Sequence, residues 1–200
     1  MRKLIMWNHM SLDGFFEGVR SWDLDWMHSF WDEEMKRHSI EQLRTTEVLV
    51  FGRVTYEGMA AYWQTAQGED AEFMNKLPKV VFSRTLERAD WANTRLMRDN
   101  VVATIQELKR AGEGNMFVFG SADLSASLAQ DGLFDEFRVA VAPIILGRGK
   151  TLFGRDLSQL TMKLIDVRQL SNGYIIVRYC PVPAANRKSA EKESAEKKSA

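Results

Sequence analysis

Short apolar runs alternate along this chain with longer stretches of helical spacing, and this alternation is the strongest constraint on its fold. Compact runs stand at 47–51, 79–82 and 116–119. Between and after them, apolar residues recur every three or four positions, as on one face of a helix. Strands that alternate with helices are typical of a largely parallel sheet with helices on its faces. The sequence therefore predicts an α/β domain.

The two ends of the domain complete this prediction. A first strand is expected at 3–10, followed by a turn at 11–14. A first helix is expected to begin near Ser29, with Asp32 and Glu33 in its first turn, and to end near Arg44. After a strand at 136–141, two apolar runs at 163–167 and 174–179 are joined through Asn172 and Gly173. Because Asn-Gly between two apolar runs is typical of a hairpin, we expect an antiparallel edge on the parallel core.

Composition limits the classes of function. The chain has 200 residues, and its 27 lysines and arginines balance 27 aspartates and glutamates, so no overall field attracts nucleic acid or anionic lipid. Cys180 is the single cysteine, which predicts no disulfide framework or zinc cluster and a reducing, cytoplasmic setting. The sequence also has no run long enough for a membrane span and no signal peptide pattern.

The C-terminal segment differs from the rest. Residues 184–200 consist largely of Ser, Ala, Glu and Lys, without a large apolar residue. Such a composition cannot contribute to a core and favours disorder. One domain at 1–183 with a disordered tail at 184–200 is the resulting prediction.

Polar turns follow three of the buried strands directly. They contain Gly52, Arg53 and Thr55 after the first, Ser83, Arg84 and Thr85 after the second, and Gly120, Ser121, Ala122, Asp123 and Leu124 after the third. Each turn alone has a structural explanation, because a strand-to-helix connection needs a flexible residue and a cap. Together they predict a shared anion-binding edge, since ligands of open α/β sheets bind beyond the carboxyl ends of the strands.

The chemistry of the three turns suggests a dinucleotide. Gly120 and Ser121 precede a helix whose free amides and positive dipole end suit a pyrophosphate. Arg53 and Thr55 offer a second phosphate contact, and Arg84 suits a terminal phosphate, which would favour NADPH over NADH; an exposed surface arginine is the alternative. Neither a Rossmann fingerprint nor a Walker loop follows any strand.

The remaining candidates concern a substrate. Asp13, at the end of the first strand, could orient or protonate one, or could simply form a turn. An aromatic segment at 21–32 could sandwich a flat ring or belong to the core, and its aromatic members are Trp22, Trp26, Phe30 and Trp31. His9, His28 and His38 have no metal-ligand spacing, so no metal site is predicted.

Six blocks in order, MSLDGFF, VFGRVTYE, VVFSRTLE, FVFGSADL, GLFDEF and APIILGRGKTLF, resemble the RibD C-terminal domain family of dihydrofolate-reductase-like proteins. The resemblance covers nearly the whole domain. It implies that NADPH is bound by the three polar turns, that the nicotinamide lies near the first strand and the Gly120 loop, and that homodimers are common. Gly120-Ser121 departs from the glycine pair frequent in these reductases, and their substrate-binding carboxylate could correspond to Asp25 or Asp32.

The resemblance implies hydride transfer from NADPH to a C=N or C=O bond of a pterin- or pyrimidine-like ring, with the ribosylaminopyrimidine of riboflavin synthesis as the leading substrate. Two alternatives remain open from the sequence. One is an NADP(H)-binding or sensor protein without turnover, and the other is a structural dimerisation module.

Overall fold

The computed structural model describes residues 1–154 and 157–183, so the predicted disordered tail lies outside the described residues. Ten strands, five α-helices and one short 3-10 helix at Asp25–Phe30 make up this part of the chain. The strands are β1 (Lys3–Ser11), β2 (Phe15–Glu17), β3 (Thr46–Gly52), β4 (Lys79–Phe82), β5 (Thr94–Met97), β6 (Asn115–Phe119), β7 (Glu136–Ala142), β8 (Lys150–Thr151), β9 (Met162–Gln169) and β10 (Ile175–Pro181). The helices are α1 (Glu33–Arg44), α2 (Arg53–Trp63), α3 (Glu69–Lys76), α4 (Val101–Arg110) and α5 (Ala122–Gln130).

Eight of the strands form one sheet in the order β5-β4-β3-β6-β1-β7-β10-β9. Neighbours from β5 to β7 pair in parallel, whereas β10 is antiparallel to both β7 and β9. The predicted fold class, a mostly parallel sheet with an antiparallel C-terminal hairpin, is thereby confirmed. Because parallel strands end at the same edge, the carboxyl ends of β1, β3, β4 and β6 lie side by side.

Helices cover both faces of this sheet. Along β1 the side chains alternate, so Ile5 and Trp7 belong to a core cluster that includes Met35 of α1. Leu4 and Met6 face the other way, into the cluster on the side of α4 and α5. The central strand is therefore buried on both faces, as expected of a strand in a parallel sheet.

The first helix begins later than the prediction near Ser29. Asp32 is its N-cap residue, and its carboxylate accepts a hydrogen bond from Met35 N at 2.9 Å, so α1 starts at Glu33. Residues 25–30 form the 3-10 helix instead. Helix α3 was not predicted at all, because only two of its residues, Ala71 and Met74, are buried and they give no clear apolar stripe.

The C-terminal hairpin closes the sheet at one edge. Asn172 and Gly173 occupy its turn, with Gly173 at φ +89°, as the sequence predicts. The outer strand β9 is open, and its Leu164 and Val167 side chains are each about half exposed, at 50% and 51%. Among the described residues, no helix has both the length and the apolar character needed to cross a bilayer.

Candidate functional site

A cleft of about 490 Å³ opens at the carboxyl edge of the sheet. Its floor comes from the ends of β1 and β6 and its sides from the turns after β3 and β6 and from the segment that follows β2. Volumes of this size are typical of small-molecule sites. Its lining includes Gly52, Arg53, Thr55, Gly120, Ser121, Ala122, Asp123, Leu124 and Trp22 of the residues predicted to bind ligands.

Two of the predicted polar turns are joined by hydrogen bonds. Gly52 N donates to Ser121 Oγ at 3.0 Å, and Ser121 N donates to Thr55 Oγ1 at 2.8 Å. The turn after β6 is also fixed to β1, because Gly120 N donates to Asn8 Oδ1 at 2.6 Å. The turns are 66 or more residues apart in sequence, but these bonds join them into one wall of the cleft.

The backbone at this wall has an unusual conformation. Gly120 and Ser121 both lie in the left-handed region, at φ +54° and +52°. A Cβ atom on Gly120 would stand 3.1 Å from the Thr55 side chain, so glycine is needed both for the conformation and for the close approach of the two turns. The serine at position 121 takes the same left-handed conformation despite its side chain, whose oxygen links Gly52 N to the turn.

Helices α2 and α5 both begin at this cleft, and neither N-terminus is capped by the side chain of its cap residue. By contrast, the aspartate before α1 caps that helix. The first amides of a helix need acceptors, and the positive end of the helix dipole favours an anion. Two such ends at one cleft give the site the geometry to hold a phosphate or pyrophosphate group, and Arg53, whose guanidinium pairs with Glu57 at 2.8 Å, adds a cation at the rim.

The third turn lies at the same edge but outside the cleft lining. Strand β4 pairs in register with β3, which places Phe82 opposite Gly52. Ser83 Oγ accepts from the amides of Thr85 and Leu86, so this hydroxyl stabilises the turn itself. The Arg84 side chain is exposed, one strand away from the joined turns.

The three candidate carboxylates do not line the cleft. Asp13 accepts hydrogen bonds from Ser11 Oγ and from the amides of Leu146 and Gly147. The Ser11 bond, with the two amide bonds behind it, lowers the pKa of Asp13, which suits a turn-stabilising anion better than a proton donor. Asp25 is exposed in the 3-10 helix, and Asp32 is the helix cap described above.

A different carboxylate, Glu17, lines the cleft and was not predicted. Glu17 is 4% exposed, its Oε2 lies 2.5 Å from Lys150 Nζ, and its Oε1 accepts from Trp22 N. Strands β2 and β8, which carry Glu17 and Lys150, pair outside the main sheet. The pair links β2 to β8, 133 positions later in the sequence, and neutralises both charges.

The aromatic segment divides between the site and the core. Trp22 lines the cleft at φ +65°, and its ring packs against the backbone of Gly58 in α2. Trp26 and Phe30 pack against the core cluster instead. Trp31 is 39% exposed, and its ring lies 5.6 Å from that of His9. None of these last three lines the cleft. Within the described ranges, no group of three or more metal-binding side chains comes together.

A mostly parallel sheet with polar turns at its carboxyl edge and an antiparallel hairpin beside it is the dihydrofolate-reductase-like fold. The structure of dihydrofolate reductase from Enterococcus faecalis, complexed with NADP(H) and RAB-propyl, matches it with a TM-score of 0.59 at 15% identity, over 90% of this chain and 97% of that one. Within this class, the family model of the RibD C-terminal domain matches residues 2–176. The chain belongs to the RibD C-terminal domain family, which confirms the resemblance seen in the sequence.

Two further proteins are similar to this chain. The uncharacterized protein YyaP of Bacillus subtilis (strain 168) is 27% identical over 183 residues, covering 89% of this chain and 94% of YyaP. The crystal structure of a putative riboflavin biosynthesis protein from Shewanella sp. PV-4 has a TM-score of 0.77 at 22% identity and covers 90% of this chain and 99% of that one. Both match this chain over nearly their whole length.

Proposed function

We propose that this protein binds NADPH along the cleft and reduces a small pterin- or pyrimidine-like ring. One observation carries the proposal: two helix N-termini without side-chain caps meet at a cleft whose turns are fixed to each other by Ser121 and Thr55. Family membership supports the reductase chemistry, and the NADP(H) named in the Enterococcus reductase structure supports the cofactor.

The residues present fit such a cofactor. The amides of residues 122–124 and 53–55 would hold the phosphates, and Gly120, which leaves room beside Asn8 and the end of β1, would let the nicotinamide approach the first strand. NADPH, when bound, supplies the hydride. The chain's own part is to fix the two turns, to orient the ring against β1 and to exclude water with Trp22 and its neighbours.

The apolar part of the cleft lining supports the proposed substrate class. Trp7, Trp22, Leu24 and Met27 offer an apolar and aromatic surface suited to a flat ring, and we take them as the ring-binding side. The name of the Shewanella structure, a putative riboflavin biosynthesis protein, supports a 5-amino-6-(5-phosphoribosylamino)uracil-like substrate among such rings.

The proposal is tested first by cofactor binding. The six tryptophans provide a fluorescence signal for titration with NADPH and NADH, and we expect saturable binding that favours NADPH. Arg84→Ala should reduce this preference, whereas Arg88→Ala, an exposed arginine nearby that pairs with Asp90, should leave it unchanged. If the wild type shows no preference for NADPH over NADH, or if Arg84→Ala keeps the wild-type preference, the role assigned to Arg84 is wrong.

Turnover is tested second. NADPH oxidation is followed at saturating cofactor across a panel of pterins and pyrimidines. Oxidation with a panel member supports the reductase. Saturable NADPH binding without oxidation of any member would favour the alternative, an NADP(H)-binding or sensor protein of the same fold.

We also propose that two copies associate through β9. An open edge strand with half-exposed Leu164 and Val167 is a surface that soluble proteins normally cover. A second copy of the same edge offers the same unpaired backbone groups and apolar side chains. Val167→Lys should then lower the mass measured by sedimentation to that of one chain, and an unchanged mass would refute this surface.

A further inference from the structure

One polar side chain on the ring-binding side of the cleft has no role in the arrangement described so far. His9 stands near the carboxyl end of β1 and lines the cleft. The same lining includes Trp7, whose ring contacts that of His9, and the uncharged side chains of Trp22, Leu24 and Met27. Pockets for flat ligands are typically apolar with a few polar groups that fix orientation, and His9 has that position here.

The imidazole of His9 is held in an aromatic enclosure. Its ring centroid lies 5.4 Å from that of Trp7 and 5.5 Å from that of Tyr174, both at steep interplanar angles, and 5.6 Å from that of Trp31. These contacts fix the ring plane without any hydrogen bond. Nδ1 is buried and has no hydrogen-bond partner among the described residues, so Nε2 is the nitrogen through which the ring can meet a ligand in the cleft.

The enclosure also fixes the charge of this side chain. Burial, with a smaller contribution from nearby His38, lowers the pKa of His9 from 6.5 to about 4. The imidazole is therefore neutral at physiological pH and can give or accept one hydrogen bond without adding charge. Two carboxylates line the cleft: Glu17 is already paired with Lys150, and Asp123 stands in the first turn of α5, at the proposed phosphate end. Neither is therefore placed to hold a cationic ring beside His9.

We propose that His9 is the specificity-determining residue of the cleft, where its neutral imidazole binds and orients an uncharged planar heterocycle in preference to a cationic one. This inference rests on the proposed function, because it takes the same cleft as the ring-binding site. It goes further in naming the residue that selects the ring and the charge state of the ring selected.

The test uses two ring probes with the full-length protein in the presence of saturating NADPH. Lumazine represents an uncharged lactam ring, and 2,4-diaminopyrimidine represents a ring that binds as a cation. The wild type should bind lumazine more tightly. His9→Phe, which keeps a flat ring but loses the hydrogen bond, should weaken lumazine binding by about tenfold and leave NADPH binding unchanged. His9→Gln, which restores a neutral donor and acceptor, should recover part of that loss.

His38→Gln is the matched control. His38 is buried and its ring lies 5.3 Å from that of Trp7, but it does not line the cleft. It should therefore leave lumazine binding unchanged. If His38→Gln weakens lumazine binding as much as His9→Phe does, the effect of His9 is merely structural and the inference fails.

The remaining outcomes separate this inference from the proposed function. Unchanged lumazine binding in His9→Phe, or tighter wild-type binding of 2,4-diaminopyrimidine, would overturn the role of His9 while NADPH binding stands. Failure of the wild type to bind NADPH would overturn the proposed function, and selective loss of lumazine in His9→Phe, measured without cofactor, would still support the inference. Should His9→Phe not fold, as judged by circular dichroism, His9→Gln and His9→Asn give the same comparison.

Discussion

Gly120→Ala perturbs the contact between the two turns that are proposed to bind the cofactor. Gly120 is at φ +54°, and a Cβ atom there would stand 3.1 Å from both Cγ2 and Oγ1 of Thr55. Thr55 Oγ1 in turn accepts the hydrogen bond from Ser121 N. The substitution therefore has two costs, one from the backbone conformation and one from the displaced threonine.

Gly132→Ala separates these two costs. Gly132 has a similar φ of +66°, but a Cβ atom there would meet nothing within 4 Å, and it lies after α5, away from the cleft. An alanine in the left-handed region costs about 1 kcal/mol, which is the expected loss for Gly132→Ala. Gly120→Ala should lose that amount and, in addition, about 1–2 kcal/mol for the shifted Thr55 and its weakened hydrogen bond.

Urea unfolding and NADPH titration measure the two variants. We expect Gly120→Ala to lose about 2–3 kcal/mol of unfolding free energy and at least tenfold in NADPH affinity, and Gly132→Ala to lose about 1 kcal/mol with unchanged affinity. Equal stability losses in the two variants would show that Thr55 yields without cost. Unchanged NADPH affinity in Gly120→Ala would refute the assignment of this turn to the phosphates.

Two further predictions concern stability. Burial, followed by the charge of nearby Arg168, lowers the pKa of His38 from 6.5 to about 4, so between these pH values the unfolded chain binds a proton that the folded chain does not. As the pH drops from 6.5 towards 4, His38 should lower the free energy of unfolding by about 1.4 kcal/mol per pH unit, and His9 should add an equal amount. His38→Gln should therefore halve the combined slope of His38 and His9, measured by urea unfolding across that range. Lys79 is 1% exposed and donates to the carbonyls of Asn75, Leu77 and Ala92. Lys79→Met should therefore cost about 3 kcal/mol by the same assay, whereas a cost below about 0.5 kcal/mol, the value expected for exposed Lys76→Met, would contradict it.

The sheet could be predicted from the sequence because local pattern determines its strands. The strand at 79–82 is found with the predicted bounds, and helices stand before it and before β6, as expected of parallel neighbours. That the polar turns share one edge is a consequence of parallel topology and needs no knowledge of side-chain contacts. The start of α1 was less certain, because Ser29 and Asp32 are both good caps and only the three-dimensional path of residues 25–30 decides between them.

Contacts between residues that are distant in sequence could not be predicted from the sequence. Glu17 and Lys150 are 133 positions apart and lie on strands of three and two residues, which are too short to give a periodic pattern. His9 was considered only as a metal ligand, and its enclosure needs Trp31 and Tyr174, which are distant in sequence, besides Trp7 on its own strand. A signal that could have found it is its position on the first strand, two residues before the turn.

The carboxylates illustrate why residue type alone cannot assign chemistry. Asp13 and Asp32 lie close in sequence to residues that line the cleft, but each already accepts hydrogen bonds from backbone amides. Glu17 forms an ion pair with Lys150. An acid whose lone pairs are used in this way stabilises structure and is a poor proton donor, because the same bonds favour its ionised form. If the cleft binds a ring as proposed, the neutral imidazole of His9 is the group expected to orient it. The proposed selection of an uncharged ring then depends on where the acids are used, not on how many the sequence contains.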